Sequence, residues 1–344
     1  MTIKIKIIND SNSACHDFVN GCSESKICYL PAWAESILPF MGHKSYYLAA
    51  TNQDDIVHGV LPLTYVNSRL FGKRMVSQGF SNYGGLLTDS DQARDALFRR
   101  AVELATKLQC KSIEFRNIKP LPYDLRSRTD KISMHLHLAS DPDQLWNSFL
   151  PKVRNQVRKA EKSGITVSEG GVELLEDFYR VYTIRMRQLG TPGYPRLLMY
   201  NILKQFKDNS RIFLVRLGNL TVGAAFTMCY NGFAEIPWAA TLTEYNNLCP
   251  NNLLYWSIIK HYCLAGAKCF DFGRCTVNGP TYQFKKQWGA EPIELHYQYW
   301  VHPSHELSIA SQNSPKYQKK VQIWKKLPLW VTRLIGPYIS RQLP

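Results

Sequence analysis

Several groups of residues have types and spacings suited to chemistry. Glu235 lies in the apolar run Phe233-Ala234-Glu235-Ile236-Pro237-Trp238. A carboxylate in such surroundings is expected to have a raised pKa, which makes Glu235 a candidate base for taking a proton from an amine. Asp271 and Arg274 flank Phe272-Gly273 at the C-terminal end of another expected strand, the end at which open α/β sheets hold ligands. Arg154, Arg158 and Lys162 recur at i, i+4 and i+8 and therefore share one helical face, with Lys152 and Lys159 nearby. Such a row can grip the phosphates of a diphosphate-linked sugar or of a tRNA backbone. Aromatic residues crowd the same half of the chain: Trp238, Tyr255, Trp256, Tyr282, Phe284 and Trp288. Their faces can stack on sugars and terminal bases, and Tyr282 and Trp288, which bracket Lys285, are the strongest candidates. In the first half, the polar turn Ser81-Asn82-Tyr83-Gly84-Gly85 is expected to line a cleft between the halves through Asn82 and Tyr83. Each group has a plain structural alternative: a solvated basic face, a strand-edge glutamate facing water, or ordinary aromatic core.

The elements that must position these residues occur twice. The strand-like Ser45–Ala49, a polar turn and Val57–Leu63 correspond to Arg211–Val215, a turn at Gly218-Asn219 and Val222–Phe226. A third strand follows each pair, at Arg74–Gly79 and Phe233–Ala239. A helix follows in turn, at Gln92–Leu108 and Asn252–Ala265, with apolar residues at helical spacing. The match is tightest afterwards. Lys111-Ser112-Ile113-Glu114-Phe115-Arg116 parallels Lys268-Cys269-Phe270-Asp271-Phe272-Gly273-Arg274, with one glycine inserted in the second copy. That glycine lets a ligand approach the backbone closely and favours the second half as the working one. Strands and helices in this order predict α/β layering, and two copies predict a tandem duplication. The boundaries expected are 1–140, 141–302 and a basic tail over 303–344. Asp141 is an expected N-cap for a helix that begins at Pro142, runs to about Ser163 and stops at Gly164.

Composition narrows the function classes. The chain has 344 residues, of which 45% are hydrophobic and 20% charged, so it can fill complete cores. No stretch approaches the roughly 18 apolar residues of a membrane-spanning helix. The N-terminal stretch alternates like a strand and lacks a signal peptide's apolar segment, which predicts a cytoplasmic protein. The net charge of +15 points to a polyanionic partner: nucleic acid, an anionic membrane or a phosphorylated substrate. Nine cysteines without a C-x-x-C pair argue for free thiols rather than a zinc ribbon or a disulfide framework. His135-x-His137 has no recognisable further ligands, so no metal is expected, and neither a P-loop nor a Gly-x-Ser-x-Gly is present. Lysines and arginines interleave with apolar residues over 316–341, a pattern suited to peripheral contact with an anionic membrane or to packing on the protein's own surface. Pro328 and Pro337 are expected to limit each helical piece there to about two turns.

The element order resembles the GNAT acyltransferase fold, and its duplicated form resembles the FemAB family. The likeness rests on Lys152-Val153-Arg154-Asn155-Gln156-Val157-Arg158-Lys159-Ala160-Glu161-Lys162-Ser163-Gly164, similar to the family's R-N-x-x-R-K-A-x-K-x-G helix. It rests also on Pro250-Asn251-Asn252-Leu253-Leu254-Tyr255-Trp256, on Phe270–Arg274 and on Gly279–Ala290. The chain looks closest to FemAB-related proteins that accompany exosortase (PEP-CTERM) and exopolysaccharide loci. The resemblance implies two tandem GNAT-like domains with mixed sheets flanked by helices. It also implies an N-acyltransferase that acts on a cell-envelope or exopolysaccharide precursor, with a phosphorylated or lipid-linked glycan or peptide as acceptor. Lys285, in Phe284-Lys285, would contact the donor and support charge in the transition state. Glu235 would occupy the third-strand position that often carries the base. Asn251, Tyr255, Phe284, Trp238 and Arg274 are carried over as substrate contacts. No bound cofactor is implied. The donor is aminoacyl-tRNA, as in FemAB enzymes, or acyl-CoA. Glycine is missing from Glu244–Asn251, where CoA-dependent GNAT enzymes place a pyrophosphate-binding turn, and this favours the tRNA donor. The other readings are an acyl-CoA-dependent enzyme and a non-catalytic pair of domains that binds a polyanionic glycan or lipid.

Overall fold

Alternating apolar residues and short polar turns drive the hairpins of both halves into sheets. The computed structural model describes residues 2–8, 13–68, 72–306 and 315–342. The chain forms two units: Met1–Ile132 with Glu294–Ile309 and Arg341–Pro344, and Ser133–Ile293 with Ala310–Ser340.

The sheet of the first unit runs Lys4–Ile8, Lys44–Thr51, Val57–Ser68, Gly72–Ser77, Ser112–Asn117, His296–Val301 and Arg126–Arg128, with Leu87–Thr88 paired to the third of these. Its pairings are antiparallel except for Gly72–Ser77 against Ser112–Asn117, which is parallel. That parallel step requires a crossover, supplied by the helix Asp91–Lys107. The helix starts where the Ser90 hydroxyl accepts the Ala93 N–H at 3.3 Å. Its buried stripe of Ala93, Leu97, Ala101 and Leu104 packs with Leu48, Leu61, Met75, Ile113 and Phe115 of the sheet.

The second unit repeats the scheme. Its sheet runs Ile165–Gly170, Ser210–Leu217, Leu220–Tyr230, Phe233–Thr241, Cys269–Asp271, Lys131–His137 and Cys275–Thr276, and Glu291–Glu294 pairs with Lys131–His137. The parallel step again joins the third hairpin strand to the strand after the helix, Phe233–Thr241 to Cys269–Asp271. The crossover helix Pro250–Leu264 is buried nearly all round, with Leu254, Ile258, Ile259 and Cys263 facing inward. A helix that is apolar on every side must be covered on both sides, and Pro151–Lys162 supplies the outer layer through Val153, Val157 and Ala160.

Three expectations are corrected. The first concerns the boundaries. The segment Lys131–His137 precedes the expected join at 140, yet it pairs with Cys269–Asp271 of the second sheet, and His296–Val301 returns to pair with Ser112–Asn117 of the first. The division therefore falls at Ile132/Ser133, and residues 294–302 leave the second unit. The second concerns the expected single helix over 142–163. It is two helices, Pro142–Ser148 and Pro151–Lys162, because Pro151 drives Leu150 out of the helical region to ψ 141°. Its ends are as expected: the Asp141 carboxylate accepts the Asp143 N–H at 2.9 Å, and Gly164 has φ +75°. The third concerns the tail, where Pro315–Lys326 and Leu329–Ser340 each span 12 residues. Pro328 separates them, whereas Pro337 lies inside the second, so each piece is about three turns rather than two.

Candidate active site

Three neighbouring strands of the second unit build a polar row. Glu235 is the register partner of Asp271, and Asp271 is the partner of His135. Laterally paired residues point to the same face of a sheet, so the three side chains share one face. Phe270 and Phe272 point the other way, toward Tyr255 of the Pro250–Leu264 helix. Phe233 is two residues from Glu235 and on its face, and its ring meets His135 edge-on at 5.3 Å. The register slips between Phe226 and Met228, whose partners are Trp238 and Glu235. The extra residue on the Phe233–Thr241 strand is a bulge at Ile236-Pro237, a place where a proline without an N–H is tolerated.

Asp271 has no exposed surface. Its carboxylate accepts the Ser133 hydroxyl at 2.5 Å and the Gly273 N–H at 2.8 Å, and His135 Nε2 lies 3.7 Å away. Gly273 has φ +77°, in the left-handed region that glycine enters freely. That conformation turns its N–H back to Asp271. It also leaves the Gly273 and Arg274 carbonyls as acceptors for the Lys285 ammonium, at 2.6 and 3.3 Å. Lys285 sits in the last turn of the helix Pro280–Lys286 and is only 6% exposed. Burial lowers its pKa below the usual lysine value, against the opposing pull of Cys275 and Asp271. An ammonium has three N–H donors, and two here are engaged by backbone carbonyls. Asp271 and Lys285 are thus tied through one short loop, Phe272–Arg274.

The first unit treats its equivalent carboxylate differently. Glu114 is gripped by Arg116, whose Nε donates to Oε1 at 2.7 Å while Nη1 donates to the Ser81 carbonyl at 2.5 Å. Burial works to raise the Glu114 pKa, but the Arg116 guanidinium, Arg74 and the Tyr299 hydroxyl together outweigh it and hold the carboxyl below its ordinary value. The Arg116 guanidinium also sits 5.5 Å from the Tyr297 ring centre.

The remaining candidates fall into two sets. Arg158, Lys159 and Lys162 are exposed and Arg154 is half-buried, so the basic row is a real surface feature of Pro151–Lys162. The Arg158 guanidinium lies 5.5 Å from the Trp146 ring centre. Gln156 of this helix accepts the Asn252 side-chain N–H at 3.1 Å, which places Asn251 and the start of Pro250–Leu264 beside it. Arg274 is exposed, and Tyr282 is half-buried, its ring centre 5.9 Å from the Lys286 ammonium.

The other set is core. Trp288 has no exposed surface and packs at 5.2 Å on Phe149 and at 6.3 Å on Phe284. Tyr255 stacks on Phe272 at 5.4 Å and meets Phe284 at 5.1 Å, and burial raises its hydroxyl pKa. Their expected substrate contacts are corrected to packing roles, because the strand face opposite Asp271 needs large rings to fill the space beneath the helix. Phe284 joins the same cluster while half-exposed. Trp238 lies between Phe226 and Tyr194, at 5.1 and 5.8 Å. Tyr83 is 2% exposed, a core side chain of the first unit, and the Asn82 carbonyl accepts the Tyr297 hydroxyl at 2.8 Å, so the Ser81–Gly85 turn is held by its own unit. Sequence reasoning missed Ser133 and weighed His135 only as half of a possible metal-binding pair with His137. Only the placement of Lys131–His137 beside Cys269–Asp271 brings them to the site. Among the described residues, no group of three or more His, Cys, Asp or Glu could hold a metal ion.

The two units define a tandem GNAT-fold protein. Residues 147–286 match the family described as acetyltransferase (GNAT) domain. The crystal structure of FemX superposes with a TM-score of 0.68 at 17% identity, over 93% of this chain and 100% of that one. The C-terminal domain of a putative lysylphosphatidylglycerol synthetase from Agrobacterium fabrum gives 0.57 at 12% identity, over 83% and 90%. A tandem GNAT protein from the clavulanic acid biosynthesis pathway gives 0.53 at 14% identity, over 89% and 100%. No curated protein matches the chain.

Proposed function

We propose that this protein is a FemAB-type N-acyltransferase. It moves an aminoacyl or acyl group to an amine on a cell-envelope or exopolysaccharide precursor, with the second unit as the working one. The observation that carries the reading is the pairing of a buried Lys285, pinned by the Gly273 and Arg274 carbonyls, with Glu235 and Asp271 inside the matched GNAT domain, His135 joining their row from a strand that precedes it. Attack by an amine needs a group to take its proton, and Glu235, half-buried at the outer member of the row, fills that role. Asp271 positions Gly273, and through that loop Lys285. The third Lys285 N–H then faces the oxygen on which negative charge develops as the acyl carbon becomes tetrahedral. The Arg154, Arg158, Lys159 and Lys162 row holds the polyanionic handle of the donor or the phosphates of the acceptor.

An aminoacyl-tRNA donor is favoured over acyl-CoA by the start of the Pro250–Leu264 helix. Pro250 at its first position has no N–H, and the Asn252 N–H is turned to the Cys249 carbonyl at 3.1 Å. A helix start short of donors makes a weak pyrophosphate cradle. Thermal denaturation with aminoacyl-tRNA, CoA and acetyl-CoA tests the choice, since a ligand that binds only the folded state raises its stability. Stabilisation by aminoacyl-tRNA that disappears in Lys285→Ala is expected. Stabilisation by CoA species alone would transfer the protein to the acyl-CoA class.

A further inference from the structure

The last described helix exposes its largest side chains. In Leu329–Ser340 the fully buried positions are Thr332, Gly336 and Ser340, spaced i, i+4 and i+8, with Leu329, Val331, Ile335 and Ile339 half-buried. Gly336 approaches the backbone of Gly193 so closely that an added Cβ would lie 3.2 Å from its nitrogen. Trp330, Leu334 and Tyr338 share the same spacing on the opposite side and are 69%, 61% and 63% exposed. A helix that only covers its own protein shows polar residues on its outer side, not a second row of large apolar ones. The preceding helix, Pro315–Lys326, buries Trp324 and is anchored where Val321 and Lys325 pack against Gly190. Its outer side shows Ile323 at 62% exposure, with Lys319, Lys320 and Lys326 three and four residues away and so on the same face.

We infer that these two helices form a docking surface for an anionic phospholipid bilayer. Charge decides the partner. Residues 315–342 contain five lysines, two arginines and no acidic residue. Exposed apolar side chains, Trp and Tyr among them, on one helix and lysines beside an exposed isoleucine on the helix before it match the headgroup–acyl boundary of a membrane, where aromatic rings settle and lysines meet lipid phosphates. Both helices are shorter than a bilayer crossing, and no helix among the described residues is long and apolar enough to span one, so the contact lies in the plane of the surface. The inference stands independently of the acyl-transfer reading: a protein without transferase activity would dock in the same way.

The test is co-sedimentation of the full chain with vesicles of phosphatidylcholine alone and of phosphatidylcholine with phosphatidylglycerol. Binding to the anionic vesicles and little to the neutral ones is expected. Trp330→Ser/Leu334→Ser/Tyr338→Ser should abolish it without lowering the melting temperature, because these side chains are exposed. Each of Lys319→Gln, Lys320→Gln and Lys326→Gln should weaken partitioning about fivefold at low salt. The basic row of the second unit provides the control: Arg158→Gln/Lys162→Gln should leave vesicle binding unchanged. Loss of binding in that control with retention in the tail variants would overturn the assignment, as would equal binding to neutral vesicles or none to either. A concentration-dependent dimer dissolved by the triple serine variant, without vesicle binding, would overturn it in favour of a second copy of the chain.

Discussion

Lys285 shows how burial sets the character of a single group. Its ammonium is held in a place that favours the neutral amine, so its pKa lies below the ordinary lysine value of 10.5. Below the folded-state pKa the protein carries the full cost of keeping that charge buried. As pH rises through the folded-state pKa toward 10.5 the cost fades, because the unfolded chain then binds more protons than the folded one. Lys285→Met removes the charge and keeps the stem. The stability of the native protein relative to Lys285→Met should therefore rise with pH in that alkaline window, read from melting temperatures of the two proteins across a pH series. A flat difference would mean that Lys285 is not buried as an ammonium. Lys285 and Asp271 could be picked out from the sequence by type and position. Ser133 could not, and His135 could be noticed by type but not assigned to Asp271, since nothing local to Ser133-Met134-His135 says that the strand will lie beside residues some 130 positions later.

Elements carry the next level of the account. The repeat was legible because each copy keeps its hairpin, third strand, helix and buried strand in one order, and the Lys111–Arg116 and Lys268–Arg274 stretches align almost residue for residue. The placement of Lys131–His137 and His296–Val301 was not legible, because strand pairing between distant segments depends on which sheet edge remains open and leaves no periodic trace. Aromatic residues were ambiguous for a related reason: a ring that stacks on a ligand and a ring that fills a core look alike in a sequence. Trp288 resolves as the pin between the Pro250–Leu264 helix and Phe272, just after the strand Cys269–Asp271, so it serves the site by holding two elements together. Trp288→Ala should cost about 3–5 kcal/mol in urea denaturation, and Trp288→Phe distinctly less. If Trp288→Ala left stability unchanged and weakened only ligand binding, the packing role would be wrong.

At the scale of the whole molecule, the duplication and the charge fit together. One unit locks the equivalent carboxylate, Glu114, into an ion pair with Arg116, while the other gives Asp271 a hydroxyl, a backbone N–H and a neighbouring lysine loop. On the proposed function, the second copy carries the chemistry and the first is structural. The charge of +15 is partly concentrated where the account needs it, on the Pro151–Lys162 helix and on the C-terminal helices. The most direct test of the central claim is transfer itself. The protein is incubated with tRNA charged with labelled amino acids and an extract of nucleotide-linked and lipid-linked envelope precursors, and the label is followed through mild base, which cleaves the ester to tRNA but spares an amide. The account predicts base-resistant label in the precursor fraction with the native protein and none with Lys285→Ala. Label that stays base-labile with the native protein, or amide formed equally by Lys285→Ala, would contradict it.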